Sequence, residues 1–179
     1  MHHVFLAVDL DDELKRRLDQ ATRGLHLRGA RVSPAHQAHL TIRFLGEVAD
    51  EHLDPVRAAI ERAAAAHERF PLELMGGGTF GPPGRPRVAW VGVRDATRLQ
   101  ALADDVDGQL ANVPCAPRDH PFAAHVTIAR ARGQLRGDLE ALTALAPLGT
   151  MIVQRLTLFR SVVTGAGSTY QALAQAPLG

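Results

Sequence analysis

Cysteine is nearly missing: Cys115 is the only one in 179 residues. An intrachain disulfide is therefore excluded, and so is a zinc site built from several thiolates. As a lone thiol, Cys115 reads as a small buried residue rather than a nucleophile. Lysine is equally scarce. Lys15 stands alone among 20 basic residues, so cationic phosphate contacts would come from arginine, whose planar guanidinium grips two oxygens at once. No apolar run approaches the ~20 residues that cross a bilayer. The strongest, VFLAV at 4–8, is strand-sized. No basic stretch leads into a long apolar segment, so neither a signal peptide nor a membrane partner is expected, and the reading is a cytoplasmic protein. Nor does one sign of charge dominate. A net charge of +1 is small for a protein that coats duplex nucleic acid by charge alone.

What is present is a packed core and a repeat. Hydrophobic residues make up 46% of the chain, enough for a globular interior. VFLAVDL (4–10) reads as a strand, and 11–25 as a helix with Leu14, Leu18, Ala21 and Leu25 at helical spacing behind an acidic start. A polar loop leads to the strand HLTIRFLG (39–46), then a helix over 51–68 with Pro55 in its first turn. From residue 87 the order recurs: strand RVAWVGV, helix 95–110 with Leu99, Leu102, Val106 and Leu110 on one stripe, a proline-containing loop, strand HVTIAR (125–130), helix 137–146. Each unit has an adjoining strand, at 70–77 and 151–161, and GAGST (165–169) turns into a last strand at 169–174. GGGTFGPPGRP (76–86) reads as a loop between lobes or a hairpin tip, and no Gly-Lys-Ser/Thr follows to make it a P-loop. The pattern predicts one bilobal α+β domain over 1–179. Its two pseudo-symmetric lobes are each a mostly antiparallel sheet with helices outside, and a cleft lies between them.

His-x-Thr-Ile thus occurs twice, at His39 and His125, each time after an equivalent strand, helix and loop. Alternation along a strand sets His39, Thr41 and Arg43 on one face and Leu40, Ile42 and Phe44 on the other. His125 and Thr127 repeat the arrangement against Val126 and Ile128. A twofold between the lobes would turn both polar faces toward one cleft. Two imidazoles on one reacting atom suit in-line displacement at phosphorus, one taking a proton and one giving it. Threonine hydroxyls two residues along can hold the non-bridging oxygens. No carboxylate recurs in the motifs, so the reading is metal-free and needs no cofactor. His36 with His39 forms H-x-x-H without a third zinc ligand, and His120 reads as a loop residue.

These segments resemble the two-histidine (2H) phosphoesterase superfamily, whose signature is a pair of His-x-Thr/Ser-x motifs on symmetric lobes. Within it they are most similar to bacterial and archaeal RNA 2',3'-cyclic phosphodiesterases, also called 2'-5' RNA ligases. FLAVDL, HLTIRFLGEV, RVAWVGV, PFAAHVTIAR and TLFRS carry the likeness along nearly the whole chain. The resemblance implies that His39 gives a proton to the leaving ribose oxygen, that His125 activates water, and that Thr41 and Thr127 bind phosphate. Arg130 matches an arginine that helps hold phosphate, although strict alternation would face it away from His125, so that role requires a twist or bulge. Phe44 matches an aromatic that contacts the nucleotide, against a competing reading as core packing. Arg43, where relatives carry a small or apolar residue, would point into the cleft and add a phosphate contact, or else be a surface arginine. Ala124 replaces the proline that many relatives have before the second histidine.

The implied activity is hydrolysis of an RNA-terminal 2',3'-cyclic phosphate to a 2'-phosphate by a monomer, with 2'-5' ligation as the reverse chemistry. The rivals are a phosphodiesterase for a small nucleotide, such as an ADP-ribose cyclic phosphate or a 2'-5' oligonucleotide, and a non-catalytic nucleotide- or RNA-binding module.

Overall fold

The computed structural model describes residues 1–165 and 167–179. Ala166, inside the turn expected at 165–169, lies outside the described residues. Among the described residues, nine strands and four helices alternate along the chain. They are β1 (His2–Asp9), α1 (Asp12–Gly24), β2 (Arg31–Val32), a 3-10 turn (Ala35–Gln37), β3 (His39–Val48), α2 (Asp50–Ala65), β4 (Phe70–Phe80) and β5 (Val88–Val93). Then follow α3 (Thr97–Leu110), β6 (Val126–Arg130), α4 (Leu139–Thr143), β7 (Gly149–Val153), β8 (Arg155–Thr164) and β9 (Gly167–Pro177).

Local chemistry explains the helices. Asp11 caps α1 by accepting from the Leu14 amide at 2.8 Å, Asp12 and Glu13 sit at its positive end, and Leu14, Leu18 and Thr22 form the buried stripe. The stripe of α3 is Leu99, Leu102, Val106 and Leu110, as the periodicity predicts, with Ala103 beside it. α2 departs from expectation. It begins at Asp50, so Pro55 falls in the second turn, where the missing N–H forfeits a bond to the Glu51 carbonyl. The helix expected at 137–146 shrinks to five residues.

All strands pair antiparallel in one sheet of order β7-β4-β5-β6-β3-β1-β8-β9, with β2 beside β6. The order is symmetric about the β3–β6 junction: β3-β1-β8-β9 on one side, β6-β5-β4-β7 on the other. The adjoining strands are exchanged relative to the sequence reading. β4 pairs with β5 of the second unit, and β8 with β1 of the first. The reason is chain proximity. Only the turn 81–87 separates β4 from β5, so they close as a hairpin. The glycine-rich stretch is thus strand as far as Phe80 and hairpin tip beyond it, not a link between lobes.

The core is continuous across the junction. Leu40 and Val126 are both fully buried and face each other across it. α2 lies on β8 and β9, α3 on β3, and α1 on β7. The exchanged strands and helices bind the halves together as much as the junction does. No helix among the described residues is long and apolar enough to cross a membrane.

Candidate active site

Among the described residues β3 and β6 share one rung, Leu40 opposite Val126. Continuing that register one residue each way sets His39 opposite Thr127 and Thr41 opposite His125. The two histidines are diagonal neighbours, roughly 7–8 Å apart between Cα atoms in a regular ladder. The four polar side chains of the two motifs share one face about the local twofold, and all four are half-buried.

Both imidazoles are held alike. The Nδ1 of His39 lies 2.7 Å from the Gln37 carbonyl, and that of His125 2.7 Å from the Ala123 carbonyl. A carbonyl only accepts, so Nδ1 carries the proton in each ring and Nε2 is left to take or give one. Aromatic rings set the planes. Phe5, Phe159 and Tyr170 surround His39 at 4.9, 6.2 and 5.1 Å between centroids. Phe80 meets His125 edge-on at 4.9 Å, with Trp90 at 6.3 Å. Phe159 and Phe80 occupy equivalent positions in the two half-sheets. Gly78 makes room for the indole: a Cβ there would stand 2.6 Å from Trp90.

Burial pushes both histidines below their ordinary pKa near 6.5, opposed by the carbonyl bonds that favour the imidazolium. The Arg130 charge lowers both, so it is felt at both rings. Asp9 acts only on His39 and raises it, opposed by Lys15, which holds Asp9 at 2.8 Å. This is the main asymmetry of the site. Asp9 stands opposite His39 in the β1–β3 ladder. One step beyond the Val91–Val126 pair, the equivalent place beside His125 is Gly92, which has no charge.

A bulge recurs in both motifs. On β3, Leu6 pairs with Arg43 and Ala7 with Thr41, leaving Ile42 extra. On β6, Ala89 pairs with Ala129 and Trp90 with Thr127, leaving Ile128 extra. Each bulge reverses alternation, so the residue five places after the histidine returns to the histidine's face. Those residues are Phe44 and Arg130, both exposed. This supplies the bulge that Arg130 requires.

It also overturns the reading of β3 beyond Thr41. Phe44 does not join the core; it is 59% exposed on the His39 face, 5.9 Å from Phe5. Arg43 does not enter the cleft. It is 7% exposed on the opposite face. There its guanidinium bonds the Phe44 and Ala116 carbonyls at 2.6 and 2.7 Å. Its Nε stands 2.7 Å from Asp107 Oδ1, a close ion pair lying off the hydrogen-bond line. So Arg43 is neither a phosphate ligand nor a surface residue.

His120 is exposed, beside Asp119. His36 is exposed near Gln37. Among the described residues, no group of three or more His, Cys, Asp or Glu side chains is placed to hold a metal. Burial raises the Cys115 thiol, which disfavours a nucleophilic thiolate. The candidate site residues read from the sequence do not include Asp9 or the rings of Phe5, Phe80, Trp90, Phe159 and Tyr170, although FLAVDL, RVAWVGV and TLFRS lie among the segments of likeness. The signal for Asp9 was available: Phe5, Ala7 and Asp9 share one face of a period-two strand.

Residues 10–164 match the profile of the 2'-5' RNA ligase superfamily. The chain is 39% identical over 144 residues to an RNA 2',3'-cyclic phosphodiesterase of Aeropyrum pernix, covering 75% of this chain and 78% of that protein. It is 30% identical over 173 residues to one of Archaeoglobus fulgidus, covering 95% and 97%. Among solved structures, TT0787 of Thermus thermophilus superposes with a TM-score of 0.80 at 28% identity, covering 98% and 97% of the two chains. E. coli LigT complexed with 3'-AMP gives 0.81 at 26% identity, covering 99% and 98%.

Proposed function

This chain belongs to the 2'-5' RNA ligase superfamily, and from that premise we propose that it hydrolyses the 2',3'-cyclic phosphate at an RNA end. In this reading Thr41, Thr127 and Arg130 bind the non-bridging phosphate oxygens. Nε2 of His125 takes a proton from water as the water oxygen attacks phosphorus. The P–O3' bond breaks in line, and Nε2 of His39 gives its proton to the departing O3'. The products are a 2'-phosphate and a free 3'-hydroxyl, and the spent proton states exchange with solvent. A 5'-hydroxyl in place of water gives a 2'-5' linkage by the same steps. Phe44 lies against the nucleotide, and neither metal nor cofactor takes part.

The observation that carries the reading is the Leu40–Val126 rung, whose register brings both His-x-Thr faces to one spot. The asymmetry of charge supports the roles, because Asp9 favours the protonated form of His39 while the uncharged Gly92 takes the equivalent place beside His125. The relatives' activity on RNA cyclic phosphate supports the substrate.

Incubation with an oligonucleotide bearing a terminal cyclic phosphate, in excess EDTA, tests the reading directly. The expected product is a 2'-phosphate at undiminished rate. His39→Ala and His125→Ala should each cost ~10²–10⁴-fold in kcat. A 3'-phosphate product, or loss of activity on chelation, would refute the mechanism.

A further inference from the structure

The balanced net charge hides an uneven distribution. Segments 26–37, 81–87 and 130–137 contain no aspartate or glutamate; Asp138 follows just past the last. They hold seven arginines between them, and without these the chain would have 13 basic against 19 acidic side chains. The fold brings the three segments together at the far end of β6. Arg87 and Pro86 accept from the Ala131 and Leu135 amides at 2.7 Å each. Gln134 Nε2 donates to the Gly84 carbonyl at 2.9 Å. Arg28 bridges Arg136, and β2 runs beside β6.

The pairing is unusual in its charges. Arg31 lies directly opposite Arg130, and Arg28 directly opposite Arg136. Like charges opposite each other across antiparallel strands are destabilising, and here this happens at two separate places, one in the β2–β6 ladder and one in an isolated bridge. Elsewhere most arginines are matched with carboxylates, Arg16, Arg23, Arg57 and Arg94 among them, while Arg62 and Arg155 bond to glutamines. None of the ion pairs among the described residues includes Arg28, Arg85, Arg130, Arg132 or Arg136, and all five are exposed. The surface begins at Arg130, whose charge reaches both histidines, so it is continuous with the catalytic face.

We propose that this surface is a track for the phosphodiester backbone of the RNA strand that leads to the cyclic terminus, making an oligonucleotide rather than a free nucleotide the preferred substrate. The inference rests on the function proposed above and names the part of the substrate that the two histidines do not touch. A polyanion neutralises the exposed guanidinium groups of Arg28, Arg85, Arg130, Arg132 and Arg136, and several phosphates in a row match these arginines better than a single terminal group does. The contacts are sequence-independent, since backbone phosphates carry no base identity.

The test compares cytidine 2',3'-cyclic phosphate with a ten-nucleotide RNA bearing the same terminus, over a range of salt. The wild-type protein should favour the RNA in kcat/KM, with a preference that falls steeply with salt. A triple variant, Arg28→Gln/Arg132→Gln/Arg136→Gln, should lose about 2 units of the log–log salt slope, from ~0.7 per phosphate contact. Its turnover of the cyclic mononucleotide should be unchanged. A control with equal charge loss, Arg16→Gln/Arg23→Gln/Arg57→Gln, should keep the RNA preference. Equal kcat/KM on both substrates, or equal behaviour of variant and control, would overturn the track. So would tighter binding to phosphatidylserine vesicles than to the RNA, abolished by the same triple substitution. No turnover of either substrate would count against the proposed function instead, and anisotropy of the labelled RNA with the same variants would still decide the track.

Discussion

At the scale of residues, the two histidines are built alike and differ through one neighbour. Each gives Nδ1–H to the carbonyl two places before it, and each is held below its ordinary pKa chiefly by burial. The proposed mechanism needs one ring charged and one neutral, so the optimum of kcat/KM for the free enzyme should fall on the acid side of 6.5. Arg130→Gln removes a positive charge felt by both rings and should move that optimum to higher pH, besides raising KM. Asp9→Asn removes the charge that favours imidazolium at His39 and leaves Lys15 unopposed. If His39 is the acid, only the alkaline limb should shift, and toward lower pH; an unmoved profile would strip Asp9 of the role. The same shifts bear on stability. A histidine whose folded pKa lies below its unfolded value binds protons less readily when folded. Stability is therefore undiminished above about 6.5 and falls as pH drops from there toward the folded pKa. Chemical denaturation of a His39→Gln/His125→Gln variant should show a shallower loss across that window.

At the scale of elements, the repeated bulge is the device that shapes the site. Without the extra residue at Ile42 and Ile128, alternation would send Phe44 and Arg130 to the helix side. With it, the buried face receives Arg43, which ties β3 to α3 through Asp107. Asp107 also pairs with Arg118 at 2.6 Å, and Arg118 reaches the Ile42 carbonyl. Arg43→Ala leaves two carbonyls and part of a carboxylate without a partner and should cost about 2 kcal/mol in denaturant unfolding. Folded molecules should retain turnover of a small cyclic phosphate, which a true phosphate ligand would not allow. On the other motif, Gly78→Ala must displace the indole that packs toward His125. Overpacking of this kind costs about 1–3 kcal/mol. Trp90 is the only tryptophan, so a change in its emission together with a fall in kcat would report the displacement.

At the scale of the whole molecule, the site exists only at a junction. Two half-sheets meet there, and exchanged strands and helices lock them together. The core runs through the junction without a break, so a single cooperative unfolding transition is expected by calorimetry. Leu40→Ala, which hollows the rung between the strands that carry the two His-x-Thr motifs, should lower stability by about 2–5 kcal/mol. It should also reduce kcat, because the rung sets the spacing of His39 and His125.

The duplicated order of elements, the helical stripes, the two His-x-Thr faces and the arginine-for-lysine bias were legible in the chain, since periodicity, capping and composition are local properties. They placed His39 with Thr41 and His125 with Thr127 as face-sharing pairs, which is how the two strands present them. Three things were not legible. A bulge leaves no local mark in HLTIRFLG or HVTIAR, so Arg43 and Phe44 were assigned to each other's faces. Strand partners are fixed by tertiary pairing: a short turn joins β4 to β5, but β8 meets β1 from the other end of the chain, so local pattern places neither in its half. The arginine strip is spread over three segments more than 100 residues apart at their extremes, and only pairing across β2, β5 and β6 brings them together. Charge and alternation are written along the chain, but a site is a property of register, and register is settled by the packing of strands against one another.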